Sequence, residues 1–237
     1  MKHFKLLEHD KISVEGHTLY RIEATRNFGD VKCGDVGGYV ESLDNLSENA
    51  WVYGNACVYE NARVSGNARV SGTARVCENA WVSGDAWVFG TARVYENAWV
   101  FGTAWVSGTA RVYENAWISG DAEVYGNAEV YGNSRICGNA EVYGNALVSG
   151  DSKILKGSVK GDRDVINITS NGVLYPITIL PKYIQIGDRC HSRTAWFRFT
   201  DDEIRKMDGE RAVVWWKTWK PILKSICDAN ASGGEQC

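Results

Sequence analysis

The chain repeats itself in sixes. From Gly37 to Lys156 it divides into twenty consecutive units of the form turn residue, Ala, X, Val, X, Gly, and the register never slips. Typical units are NAWVYG from Asn49, NARVSG from Asn61, DAWVFG from Asp85 and NAEVYG from Asn127. A unit this short cannot bury its own apolar residues, so it must stack on copies of itself, and the architecture has to be a solenoid.

Within a unit the second and fourth positions are nearly always Ala and Val or Ile, while the third and fifth hold Trp, Arg, Glu, Tyr, Ser or Cys. That alternation is the signature of a short strand with its two sides in different surroundings. If the third position faced inward, Arg63, Arg69, Arg75, Arg93, Arg111, Glu123, Glu129 and Glu141 would be buried without partners. An unpaired buried charge costs several kcal/mol, so Ala and Val line the interior. The closing Gly and the opening Asn, Asp or Thr tolerate positive φ and mark a corner after each strand.

A longer period gives the number of strands per coil. Glu60, Glu78, Glu96 and Glu114 replace the corner Gly at intervals of 18, and Arg75, Arg93 and Arg111 recur at the same interval, as do Trp81, Trp99 and Trp117. Three units therefore close one triangular coil. At an inter-strand spacing of about 4.8 Å, nearly seven coils make a prism roughly 30 Å tall.

These units resemble the hexapeptide repeats of the left-handed parallel β-helix proteins, over about half of the chain. The resemblance implies left-handed winding, against the crossover rule of ordinary parallel sheets. A right-handed three-faced solenoid of the bactofilin kind has a similar coil length, and composition is compatible with either hand.

The expected fold is mainly β: an N-terminal hairpin cap over 1–36, a three-sided parallel β-helix over 37–157, a small α+β domain over 158–230 and a disordered tail over 231–237. Residues 11–26 alternate around Glu15-Gly16 and predict a hairpin that covers the open end of the first coil. Beyond the repeat, 164–170 and 173–180 flank Asn171-Gly172, a strong hairpin signal, with 183–186 as a third strand. Pro176 and Pro181 predict edge positions for these strands. Thr200 to Glu203 forms a capping box that opens a short helix through Met207, ended by Gly209. A second helix over 210–229 places Ala212, Trp215, Trp216, Trp219, Leu223 and Ile226 on one face, with a kink expected at Pro221.

Two flanking segments carry a second resemblance. Residues 29–42 (GDVKCGDVGGYVES) are similar to the lead-in of bacterial and phage hexapeptide-repeat proteins, and residues 191–223 are similar to the C-terminal segment of small phage and prophage proteins. The resemblance implies a phage origin, and hence action in the host cell cytoplasm.

Charge and cysteine usage narrow the function classes. A net charge of −3 argues against a general nucleic-acid binder. The seven Cys include no CxxC pair and no zinc-like spacing, which predicts reduced thiols in a cytosol and no metal or other cofactor. The start MKHFKLLEHDK lacks an apolar signal region, and no run of 18 apolar residues occurs, so a soluble, non-exported protein away from membranes is expected.

The aromatic load on the outside is the main candidate site. Trp81, Trp99 and Trp117 with Phe101 form one outward column; Trp51, Trp87 and Trp105 with Phe89 occupy a second face; Tyr59, Tyr95, Tyr113 and Tyr131 line the third. Burying an aromatic hides about 150–250 Å², worth roughly 4–6 kcal/mol gross at about 25 cal/mol per Å². Leaving six Trp outward forgoes that stabilisation, which predicts a partner or oligomer surface. The bland counterpart is that neighbouring rings stack down their own column and need no partner. A homo-oligomer, dimer or trimer, is expected alongside a host protein as partner.

Arg75, Arg93 and Arg111 beside Tyr95 and Tyr113 form a possible groove for an anion or nucleotide, set against a plain surface charge ladder in which the Arg offset the stacked Glu. The basic-aromatic helix with Trp215, Trp216 and Trp219 is read first as the core of the C-terminal domain and second as a partner-binding helix. Catalysis fits poorly. Acyltransferases of the resembled family need a general-base His and its carbonic anhydrases three zinc-binding His, whereas His3, His9, His17 and His191 all lie outside the repeat. No phosphate-binding glycine loop is present. The expectation is a non-catalytic, phage-type solenoid that binds a protein and acts on a host process such as a defence system. Its alternative is a small-molecule or nucleotide sequestering protein, or a divergent acyltransferase with its site between subunits.

Overall fold

The computed structural model describes residues 2–161, 164–168 and 174–232, and divides into two compact units, Met1–Val165 and Ile166–Cys237. The first unit is the solenoid with its cap. Its strands are two residues long in most coils and pair in parallel with the strand 18 residues away, as in Arg75, Arg93 and Arg111, or Trp81, Trp99 and Trp117.

Three faces result. The first stacks Val36–Val40, Cys57–Val58, Arg75–Val76, Arg93–Val94, Arg111–Val112, Glu129–Val130 and Leu147–Val148. The second stacks Trp51–Val52, Arg69–Val70, Trp87–Val88, Trp105–Val106 and Glu123–Val124; the third stacks Arg63–Val64, Trp81–Val82, Trp99–Val100 and Trp117–Ile118. Strand Arg135–Val142 runs round a corner and joins the second and third faces. The interior is the expected column of small aliphatics, with Ala80, Val82, Ala98 and Val100 fully buried. Ser134 and Ser152 take the Ala position near the end, and each hydroxyl donates to a corner carbonyl, of Tyr131 and Ser149, at 2.6 Å. A buried hydroxyl so bonded escapes the desolvation penalty of an unpaired one.

Corners are stapled from coil to coil. Asn61, Asn79, Asn97, Asn115, Asn133 and Asp151 form an unbroken side-chain ladder, each amide donating to the next at 3.0 to 3.5 Å. Gly72 has φ 71°, and a Cβ there would lie 2.7 Å from the Gly90 carbonyl oxygen, so glycine answers both the left-handed backbone and the close approach of the next coil. Glu60, Glu78, Glu96 and Glu114 adopt φ of 56° to 58° at the corner where they replace it. The Glu60 carboxylate accepts the backbone N–H of Glu78 at 2.6 Å, which offsets part of that strain.

The hairpin Phe4–Val14 and His17–Ala24 turns at Glu15-Gly16, begins earlier than residue 11, and pairs through Val36–Val40 onto Cys57–Val58. It continues the first face past the first coil and so pairs that sheet's edge. At the other end the register of 18 drops to 17 between Ile136 and Asn139, where Lys153–Val159 pairs with Arg135–Val142. Solenoid pairing thus reaches Val159, past the expected limit at 157.

The second unit is a four-stranded antiparallel sheet, Ile166–Ile168, Ile177–Ile179, Tyr183–Ile186 and Arg189–Ser192, with helices Arg193–Arg198 and Asp201–Ser232. Pro176 and Pro181 do not mark edge strands. They lie just outside Ile177–Ile179 and Tyr183–Ile186, the two central strands, where no ladder N–H is required of them. The Asn171-Gly172 turn, and the 231–237 tail beyond Ser232, lie outside the described residues. The capping box at Thr200 and Glu203 forms. Non-helical backbone at Asp208 and Gly209 then divides the long helix, whereas Pro221, the expected kink position, lies within helical dihedrals.

Candidate functional site

On the third face, Trp81, Trp99 and Trp117 stand on successive coils, each 37% exposed. Ring centroids are 5.0 Å apart for Trp81 and Trp99, with planes tilted by 56°, and 5.2 Å apart for Trp99 and Trp117, with planes nearly parallel at 7°. Phe101 packs edge-on against Trp117, the Arg135 guanidinium lies over the same indole at 5.2 Å, and the Trp81 N–H donates to Ser65. Stacking and exposure therefore coexist: ring faces cover one another while outer edges remain in water.

The second face differs. Trp87 and Trp105 meet edge-to-face at 5.7 Å, with half-buried Phe89 against both, and Trp105 is the most exposed indole of the column at 45%. Trp51 occupies the same column but does not belong to the exposed surface, because it is 2% exposed. Phe28 packs edge-on against its ring at 5.5 Å, and Gly37 lies so close that a Cβ there would fall 2.7 Å from the indole. Between Trp51 and Trp87 stands Arg69, bound to Asp30 at 2.6 Å and to the Tyr53 hydroxyl. Beyond Trp105 the column continues in exposed Glu123 and then in Glu141 on the next coil.

The first face carries the arginines. Arg75, Arg93 and Arg111 are neighbours in parallel register. Arg75 is bound by Glu15 of the cap hairpin at 2.8 Å and Arg111 by Glu129 at 3.6 Å, so the corner glutamates are not their partners. The Arg93 guanidinium makes no ion pair or hydrogen bond among the described residues. Beside them Tyr95, Tyr113 and Tyr131 form a parallel stack with centroids 5.0 and 5.1 Å apart. Tyr59 shares the column but is 1% exposed, covered by the hairpin and donating its hydroxyl to Glu15 at 2.9 Å. A cleft of about 250 Å³ lies here, lined by Tyr59, Arg75, Cys77, Arg93, Tyr95 and Arg111 among others. Four of the five residues expected to form an anion groove are thus brought together, with Tyr113 one coil further on.

His3, His17 and His191 each contact side chains or backbone of their own unit, and His9 is exposed. His3 is buried, edge-on to Phe4 and Phe28 and 2.9 Å from the Ala50 carbonyl oxygen, and burial pushes its pKa down. His17 bridges Glu41 at 2.9 Å and Glu60 at 3.1 Å; the Glu41 hydrogen bond raises its pKa. His191 sits edge-on to Trp196 and Phe199. The His17 bridge was illegible in the sequence, since its three members are separated by 24 and 19 residues with no motif linking them.

In the second unit, Trp216 belongs to the core with Ile177, Ile184, Trp196, Val213 and Leu223. Trp215 and Trp219 are half-buried and stack on each other at 5.5 Å. The residues of the expected face lie in or against this core, Ala212, Trp216 and Leu223 buried and Trp215, Trp219 and Ile226 packed on it, and Val213 and Cys227 widen the buried stripe. No described helix is long and apolar enough to cross a membrane.

No curated protein matches the chain. A family model described as the YdcK beta solenoid repeat matches residues 62–78, and over that one coil the chain is similar to it.

Proposed function

We propose that this chain is a non-catalytic binding solenoid whose aromatic faces dock protein, and that a second copy of the chain is its first partner. The observation that carries the reading is the order of residues down the second face: Arg69, Trp87, Trp105, Glu123. Turned antiparallel about a two-fold axis, that column sets Trp87 against the partner's Trp105 and brings the partner's Glu123 beside Arg69, which Asp30 already pairs within its own chain, in an isologous and closed arrangement. A surface corrugated at about 4.8 Å per coil also finds its matching corrugation on another copy of itself.

At 37% and 45% exposure and about 150–250 Å² per aromatic, Trp87 and Trp105 together offer roughly 120–200 Å². They would form the apolar centre of an interface burying about 800 Å² per partner, the remainder coming from the polar residues around them. The absence of a repeat-borne His, and the engagement of His3 and His17 in cap packing, favour binding over acyl transfer.

The third face favours a different partner. Its Trp81, Trp99 and Trp117 column is flanked by Arg63 and Arg135, which suits an acidic protein surface. The phage resemblance of the flanking segments supplies the class: a host protein in the host cytoplasm, its process or defence system being inhibited. Light-scattering mass of wild type, W87S/W105S and E123R tests self-association. Capture of one defined protein from host lysate, lost in W99S/W117S and kept in W87S/W105S, tests the second surface.

A further inference from the structure

The first face holds a ladder with a rung missing. Positions 59, 77, 95, 113 and 131 form one column, each backbone N–H bonding to the next coil. Four of them are Tyr; the fifth is Cys77. From Tyr95 onward the rings stack nearly parallel at 5.0 and 5.1 Å. Between Tyr59 and Tyr95 lie two coil spacings, about 10 Å, with the small Cys77 side chain, packed against Tyr59, at the intermediate position. The cleft of about 250 Å³ lies at this gap.

The surroundings favour an anion on a flat body. Among the described residues no ring stacks on the Cys77 side of Tyr95, which lines the cleft. Three guanidiniums stand side by side, and like charges opposed on adjacent strands repel. Arg75 and Arg111 are compensated by Glu15 and Glu129, while Arg93 between them is not. Of the two acids lining the cleft, Glu15 is engaged by Arg75 and the Tyr59 hydroxyl, and Glu78 accepts the Glu96 backbone N–H. Burial pushes the Cys77 thiol up to about 11, so the floor of the gap is neutral.

We infer that the gap at Cys77 is a binding slot for a small planar aromatic anion, its ring lying over Cys77 on the outer face of Tyr95 in place of the missing rung, and its phosphate or carboxylate lying on Arg93. Stacking supplies the body of the affinity and the guanidinium orients the ligand. The slot lies on a different face from the Trp columns, so it stands or falls independently of protein docking.

Calorimetric titration of the full chain tests it with adenosine 5′-monophosphate, 1-naphthoate, adenosine and inorganic phosphate. Binding of the monophosphate or of naphthoate, with adenosine and phosphate each markedly weaker, is the expected result; which of the two binds distinguishes phosphate from carboxylate. C77Y supplies the rung and should abolish that binding while far-UV circular dichroism and the melting temperature are retained. R93Q, at an exposed position, should weaken the anionic ligand by about tenfold or more and leave adenosine unchanged. Absence of binding by both anions at millimolar concentration overturns the inference, as does unchanged binding in R93Q.

Discussion

Trp99 and Trp117 lie in parallel register on adjacent coils with ring centroids 5.2 Å apart and planes within 7°, so each indole shields one face of the other. This cross-strand pair is a local source of stability on an otherwise exposed column. Urea unfolding of W99S, W117S and the double variant should give a coupling of about 0.5–1.5 kcal/mol. A coupling near zero would mean that the stack forms without contributing.

Corner glycines answer two demands, and a pair of substitutions separates them. Gly16 and Gly72 both have positive φ, but a Cβ at Gly16 meets nothing within 4 Å, whereas one at Gly72 meets the Gly90 backbone at 2.7 Å. Gly16→Ala should cost about 1 kcal/mol from backbone strain alone. Gly72→Ala should cost about 2–4 kcal/mol, because the next coil must also shift. Equal losses on chemical denaturation would show that the coils are not in close contact at their corners.

The His17 bridge gives the cap a pH dependence of definite sign. The Glu41 hydrogen bond raises the folded-state pKa above the ordinary 6.5, so the stabilising contribution is fully present below that value and is lost as pH rises through the raised one. His3 opposes this, since burial lowers its pKa and charging it at acid pH costs stability. The difference in melting temperature between wild type and His17→Gln removes the His3 contribution, which both proteins share. That difference should be larger at pH 6 than at pH 8.5; a difference constant with pH contradicts the bridge.

Much of the solenoid was legible because each position in the unit has one environment. Inward Ala and Val, the coil of 18 residues and the outward Trp columns follow from alternation and charge alone. What stayed hidden was long-range cover. Trp51, Tyr59 and His3 are buried because residues 2–40 fold onto the first coil, and the nearest sequence signal is Gly37-Gly38, two residues whose missing side chains let the chain pass against Trp51 and Val52. Arg189–Ser192 went unrecognised as a strand because RCHS has no apolar alternation, and its place is set by pairing with Tyr183–Ile186. On the candidate surfaces, ring spacing was readable from the repeat, but the pairing of Arg75 with Glu15 required the hairpin to be placed.

Pairing of the Trp87 and Trp105 face with its own copy doubles the mass of the particle in solution. Light scattering over a range of concentrations should give wild type approaching twice the chain mass of 26.3 kDa, with E123R and W87S/W105S remaining at 26.3 kDa while still folded. Wild type at the single-chain mass throughout, or a dimer that both variants leave intact, would contradict it.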